Sequence, residues 1–587
     1  MPLDRVQIPI ENDDCSKESL HMLSPTELQS WREKLKPGNE GQMAQLVRRS
    51  VINFGKTDAK SAMITRDKDA KQLFLNSFVL PASLEMDNVV NGDRYLIYGA
   101  KGSGKTALLR YTMEEFQQAR NPTKFIVFSE DIPQQEFDKV ASGIDIENVT
   151  KPEIGDLIQV RDMWTIFLIK NICDILEKSD QLFDQHAESA KLKGIIDGVF
   201  DNRNRSVLKS ILSKIKGGTF RLKAGVKEYA EFESIINFEN DDGTVEVDYS
   251  RFAEAVVDRI CRISFPNDVK YCLFIDEINL SMVQHKQYKK DSILIRDLIL
   301  AIGALNRKFI ERGLPIYIYG AIRIEVAKGL NVSRNEIDKY LVDHGQRMQW
   351  HDGFDVNRYP IFEVIEHRIA AIEKSRTGHS NTASEIWKEY FARDIYGVSP
   401  KKFISEITWC NPRDIVNLFN LASASQPSRP RYDSELFSSI AEQYSEIVWS
   451  ERAEELNAEH SMTVVNAIKR LLAASRPVFR VDQLTNVATT MGQSDQLISQ
   501  INSTLGIRKI CKDLYHIGVL GQAIPMGKGK IDSRGRSLVD FHETWFYRDN
   551  REFDDANMLV IHRGLLPCLK LGSWRSEMFG RDPRIVA

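Results

Sequence analysis

The sequence has no CxxC pair, no apolar run long enough to cross a bilayer, and almost no net charge. Its seven cysteines (Cys15, Cys173, Cys261, Cys272, Cys410, Cys511 and Cys568) are scattered over 587 residues. An odd number without paired spacing argues against a disulfide framework or a cysteine zinc site, and for buried thiols in a reducing compartment. No uninterrupted apolar stretch reaches the roughly 18 residues of a membrane span. The most apolar helical candidate, 292–305, is broken by Arg296 and Asp297. The opening residues MPLDRVQIPIENDD are acidic and lack the apolar centre of a secretory signal. These absences give the expectation of a cytoplasmic chain with no membrane partner. A net charge of -3 argues against a protein coated in nucleic acid on all sides, while leaving room for a local basic patch.

What the chain does contain is ordinary core material, 42% hydrophobic and 27% charged, enough for several domains at this length. Residues 1–50 are polar and weakly periodic, which reads as a leader. An FGKTDAK segment follows, then apolar periodicity through Leu73, Phe74 and Phe78. Strand and helix patterns then alternate: a strand at 95–98, a helix at 107–116, strands at 124–131, 269–279 and 314–326, and helices at 160–176 and 292–312. Such alternation predicts an α/β fold with a mostly parallel sheet covered on both faces. Residues 177–248 interrupt it with a basic cluster (Arg203, Arg205, Lys209, Lys214, Lys216, Arg221, Lys223) and an acidic one at 239–242. Beyond about 355 the strand signals stop and helices dominate to about 455.

The segment Gly99-Ala100-Lys101-Gly102-Ser103-Gly104-Lys105-Thr106, followed by Ala107, matches GxxxxGK[ST] at every fixed position. The physical reason for the spacing is specific. Glycines let successive backbone N–H groups curl around phosphate oxygens, and the next helix presents its positive end. A lysine at position 105 neutralises β- and γ-phosphates, and the Thr106 hydroxyl suits Mg2+. The apolar strand before it and the helix after it supply the required context.

A second feature lies far downstream, in Leu273-Phe274-Ile275-Asp276-Glu277. Asp276 at the end of a buried strand can hold Mg2+ through its water shell, and Glu277 is placed to polarise an attacking water. Together with the glycine loop, this pattern resembles the additional-strand ATPases, the class containing AAA+ and STAND proteins. The resemblance implies a P-loop NTPase core at 51–350, a helical lid at 351–460 and ATP with Mg2+ as ligands. It also implies that Arg323, ending the strand at 316–322, stands near the γ-phosphate. Asn411-Pro412-Arg413-Asp414 is similar to the lid arginine motif of origin-recognition ATPases, with Arg413 reaching a phosphate from the lid. IDEIN departs from the IDDLD form of related STAND-like proteins. Arg307, Arg312, Arg334 and Arg347 are candidates for an arginine lent to a neighbouring subunit, which makes a homo-oligomer the expectation. Trp350 reads as a packing residue at a domain joint.

The last segment, 461–587, reads as helices followed by an edge strand near 519–524, a turn PMGKGKIDSRGRS and a strand VDFHETWFY. It resembles a winged-helix domain whose wing tip carries Lys528, Lys530, Arg534 and Arg536, suited to a nucleic-acid backbone. Over 54–570 the domain order resembles prokaryotic orphan P-loop ATPases associated with phage defence. The resemblance implies an ATP-hydrolysing switch or oligomerising machine acting on nucleic acid. The alternative is a regulatory ATPase whose winged helix and insertion bind a separate effector protein.

Overall fold

The computed structural model describes residues 47–587, except 129–153, 180–191, 197–218, 224–243, 267, 279–284, 324–335, 352–354, 458–459, 532–536, 550, 576–584 and 587. Residues 47–52 belong to the folded body, so the leader ends earlier than position 50. Arg49 there is 1% exposed and donates to the carbonyls of Ala422, Ser425, Gln426 and Arg429. These four carbonyls anchor Arg49 to the end of the helix and turn at 422–429.

Three short helices, α1 (Ala59–Met63), α2 (Lys68–Asn76) and a further one at Met86–Val90, precede the first strand, β1 (Leu96–Gly99), among the described residues. Helix α3 (Lys105–Gln118) follows the glycine loop directly, then β2 (Thr123–Val127), the 26-residue α4 (Ile154–Ser179), and an antiparallel pair, β3 (Thr219–Lys223) with β4 (Thr244–Asp248). Next come α5 (Tyr249–Ile260), β5 (Tyr271–Ile278), α6 (His285–Glu311), β6 (Ile316–Arg323), α7 (Glu336–His344) and β7 (Gly345–Arg347). The predicted interruption at 177–248 therefore carries one described strand pair. Most of its basic cluster lies outside the described residues.

Five strands form one sheet in the order β2-β5-β6-β1-β7, with every pairing parallel. The sequence accounts for this. Strand β5, Tyr-Cys-Leu-Phe-Ile-Asp-Glu-Ile, is buried at every position except Glu277, as a central parallel strand must be. Helix α3 packs on β1, β2, β5 and β6, α4 on β2 and β5, and α6 on β6. Burying a side chain such as Phe274 or Leu298 in such a layer contributes about 1.5–3 kcal/mol. The class is thus α/β with an all-parallel five-stranded sheet. Strand β6 lies between β1 and β5, so the two motif-bearing strands are not neighbours. Strand β7 was not foreseen: its three residues, Gly-Gln-Arg, carry no apolar signal, and it is recruited by pairing alongside β1.

Helices α8 (Ile361–Thr377), α9 (Ala383–Tyr390), α10 (Pro400–Ile407), α11 (Pro412–Ala424) and α12 (Ser434–Leu456) then follow without a named strand. Their starts are written in the sequence. Thr382 and Glu385 form a reciprocal capping box on α9, and Asn411 caps α11 by accepting from the Asp414 amide, with Pro412 as the first helical residue.

The last part contains α13 (Met462–Ala473), β8 (Val478–Phe479), α14 (Val481–Gly492), α15 (Ile507–His516), β9 (Leu520–Ile531), β10 (Ser537–Thr544), β11 (Met558–Ile561) and β12 (Ile585–Val586). Two sequence expectations are corrected here. The strand near 519–524 is not an edge: β9 lies in the middle of a five-stranded antiparallel sheet, β12-β10-β9-β11-β8. The turn is also shorter than PMGKGKIDSRGRS, because β9 continues to Ile531 in register with β10. The Met558–Ile561 segment, not assigned as a strand from sequence, is the second neighbour that makes β9 central.

Candidate functional site

The loop Gly99–Thr106 joins the carboxyl end of β1 to α3, and its backbone is shaped by two left-handed glycines, Gly102 at φ +80 and Gly104 at φ +92. Close packing also excludes larger residues. A Cβ on Gly99 would come within 2.7 Å of Ser103 Oγ, and one on Gly102 within 2.9 Å of Asn411 Oδ1.

The loop carbonyls are turned to partners of this chain. Lys105 Nζ donates to Gly99 O at 2.9 Å and Ala100 O at 2.8 Å. Trp350 Nε1 donates to Ser103 O at 2.7 Å, and the Arg413 amide to Gly102 O at 3.4 Å. With its carbonyls so engaged, the loop offers its N–H groups at the amino end of α3, the arrangement that receives an anion. Ser103 Oγ is buried without a hydrogen-bond partner among the described residues, a polar atom set inside the same cradle. Trp350, read from sequence as a packing residue, is buried but also holds the loop directly.

Asp276 sits near the carboxyl end of β5 and is 3% exposed. Burial pushes its carboxyl up; a hydrogen bond from the Thr106 hydroxyl, the Glu277 amide and the Lys105 ammonium partly offset that. The Glu277 N–H reaches Asp276 Oδ1 at 2.8 Å. Thr106 and Asp276, 170 positions apart in the numbering, therefore meet across β6. Their oxygens are hard donors of the kind Mg2+ takes, so this pair fits that ion.

Glu277 has φ +56, a left-handed conformation that is uncommon for a residue other than glycine. It coincides with a register irregularity between β5 and β6, where Ile275 faces Gly320 but Ile278 faces Ile322. One extra residue on β5 re-aims the Glu277 side chain, which is half-buried, out of the strand alternation. Backbone strain of this kind concentrates at sites where a side chain must be placed against its local preference.

Arg323 ends β6 in register with Gly99, so it flanks the start of the loop from the neighbouring strand. Arg413 is the second residue of α11, placed on the loop through its own amide. Lys101 turns away and pairs with Glu454 on α12 at 2.8 Å. Ala107 continues α3. Of the four arginines considered for a neighbouring subunit, Arg307 donates to Tyr340 Oη at 3.1 Å, Arg347 lies on β7 beside β1, Arg312 is exposed after α6, and Arg334 lies outside the described residues. Lys528 and Lys530 fall on β9, whereas Arg534 and Arg536 lie outside the described residues.

Sequence reasoning missed the depth of the connection behind the loop. Asp414 is fully buried, accepting from the Trp409 amide at 3.0 Å and Asn411 Nδ2 at 2.8 Å, and burial raises its carboxyl. Trp409 in turn donates to Gly518 O at 2.9 Å and stacks on His562 with ring centroids 3.7 Å apart. The signal available was the Asn-Pro-Arg-Asp cap itself, whose aspartate was read only as part of a helix start.

No protein-family model matches the chain, and no curated protein sequence matches it. Among the described residues no helix is long and apolar enough to cross a membrane, and no group of three or more His, Cys, Asp or Glu could hold a metal. A site built from Thr106, Asp276 and substrate oxygens needs no such group.

Proposed function

We propose that the chain binds ATP on the Gly99–Thr106 loop and hydrolyses it with Mg2+, as an additional-strand P-loop ATPase with a helical lid and a C-terminal winged-helix domain. The observation that carries this reading is the approach of the Thr106 hydroxyl to the buried Asp276 carboxyl, which brings two distant motifs to one point beside the glycine loop. The position of β6 between β1 and β5 and the parallel order of the sheet support the same class.

In this reading Lys105 and the loop amides hold the β- and γ-phosphates. Thr106 and Asp276 would hold Mg2+, which when bound supplies charge neutralisation on the phosphate oxygens. Glu277 accepts a proton from the attacking water, whose oxygen bonds to the γ-phosphorus as the bond to the β–γ bridging oxygen breaks. Arg323 and Arg413 bring positive charge to the γ-phosphate from the sheet and from the lid. ATP held between loop and lid acts as a switch that favours homo-oligomer assembly, with nucleic acid bound by the wing and a role in antiviral defence.

A second reading, a regulatory ATPase that binds an effector protein, is favoured by one observation. Two of the three cationic side chains of α15 are matched internally: Arg508 pairs with Asp555, and Lys509 with Asp513 at 2.6 Å, while Lys512 is exposed. That leaves less free positive charge on this helix than a phosphate-tracking surface needs. The test of the ATPase reading separates binding from turnover. Lys105→Ala abolishes tight ATP binding, whereas Glu277→Gln binds ATP but loses turnover by at least about a hundredfold. Full turnover in Glu277→Gln refutes the assigned base.

A further inference from the structure

Lys101 stands inside the phosphate loop, two residues past its first glycine, yet its charge is engaged elsewhere. Its side chain is 13% exposed, and its ammonium donates to Glu454 Oε2 at 2.8 Å and to the Glu451 carbonyl at 3.5 Å, both on α12. Glu454 itself is 67% exposed. Water competes at that carboxylate, so the pair is weak and open to exchange.

The backbone on either side of Lys101 is held more firmly. Lys105 Nζ donates to Gly99 O and Ala100 O, the Arg413 amide to Gly102 O, and Trp350 Nε1 to Ser103 O. The Lys101 side chain hangs from this fixed frame on a flexible four-carbon stem, so its ammonium can change partners without moving the loop. A single exposed carboxylate competes poorly with the several negative charges of a triphosphate seated on the loop amides.

The end of α12 that holds Lys101 is also joined to the C-terminal part of the chain. Arg452, two residues before Glu454, lies over the Trp409 ring at 4.8 Å and pairs with Glu455 at 2.7 Å. Trp409 donates to Gly518 O at 2.9 Å and stacks on His562 at 3.7 Å. Nearer the middle of α12, Ser445 Oγ accepts from the Cys568 amide at 3.0 Å. A cavity of about 60 Å³ lies at this junction, lined by Ala100, Lys101 and Ser103 of the loop together with Arg452, Phe546 and Tyr547. A change of partner by Lys101 therefore occurs where the loop, α12 and the C-terminal part meet.

We propose that Glu454 is a counter-ion latch that withholds Lys101 from the phosphate site, and that a bound triphosphate takes the ammonium from Glu454 and so frees the end of α12. This rests on the nucleotide reading above. It makes Glu454 a positioning residue that lowers nucleotide affinity at rest, and it makes α12 the element that reports an occupied loop to the C-terminal part.

The test is a double-mutant cycle on the full chain. Wild type, Glu454→Gln, Lys101→Met and the double variant are titrated with ATP, and amide exchange of α12 is followed without and with ATP. Glu454→Gln binds ATP about two- to fivefold more tightly than the wild type, the range an exposed pair allows. Lys101→Met binds it more weakly. In the Lys101→Met background Glu454→Gln changes nothing, because no ammonium is left to withhold. Exchange over the last turn of α12 rises with ATP in the wild type and is already raised without ATP in Glu454→Gln. A merely structural contact gives the opposite, with ATP binding by Glu454→Gln unchanged or weaker, and that result overturns the latch. An equal gain from Glu454→Gln in both backgrounds overturns it too, since Glu454 then acts other than through Lys101. Exchange in α12 that ignores ATP overturns the release step. In each of these cases ATP binding by the wild type leaves the nucleotide reading intact, whereas a wild type that binds no ATP refutes that reading itself.

Discussion

Replacing Trp350 with Phe tests how the loop is held. The indole N–H reaches Ser103 O at 2.7 Å, and Trp350 is buried, so water does not easily take its place. Removing the donor leaves a carbonyl whose desolvation is no longer offset, a cost of about 1–3 kcal/mol. The smaller ring adds a packing loss in the same range. The hydrogen-bond cost must appear in one of two places. If Ser103 keeps its orientation, the nucleotide-free protein is destabilised and affinity is preserved. If the loop relaxes to relieve the carbonyl, stability is preserved and nucleotide binding must restore the orientation, weakening affinity by about five- to a hundredfold at 1.4 kcal/mol per decade. Denaturant unfolding and nucleotide titration on the same preparations give the two parts. The reasoning is refuted if Trp350→Phe matches wild type in both.

Three other outcomes follow from the structure. Gly102→Ala forces a left-handed alanine, costing about 1–2 kcal/mol, and sets a Cβ against Asn411 and Arg413; hydrogen exchange at the start of α11 rises and nucleotide affinity falls. His562 is held well below its ordinary pKa by burial, with Arg548, Arg563 and Arg452 adding to the effect. Its folded form therefore binds fewer protons than the unfolded chain once pH drops below about 6.5, and stability falls with acidification by up to about 1.4 kcal/mol per pH unit. Unfolding measured from pH 7 to pH 5 shows a shallower slope in His562→Gln. Neutralising Lys528, Lys530, Arg534 and Arg536 together weakens nucleic-acid binding and flattens its dependence on log salt by about three to four units, if each meets a phosphate. An unchanged slope removes the wing from that surface.

The sequence made the parallel sheet legible because each of its longer strands is a compact apolar run next to a helical period. The Gly99–Thr106 loop and the Asp276–Glu277 pair were legible because their chemistry demands fixed neighbours. Strand β7 was not legible, since Gly-Gln-Arg becomes a strand only by pairing with β1. Nor was the central place of β9, which depends on a partner arriving from Met558–Ile561. The contacts of Trp350 and Trp409 were hidden for a related reason: composition shows a tryptophan, but only the tertiary fold shows what its indole N–H finds.

The most direct measurement is Mg2+-dependent release of inorganic phosphate from ATP by the purified chain, with Glu277→Gln alongside. The account predicts release by the wild type that requires Mg2+, and a loss of at least about a hundredfold in Glu277→Gln with ATP binding retained. Equal release by both proteins, or none by the wild type with ATP bound, contradicts it.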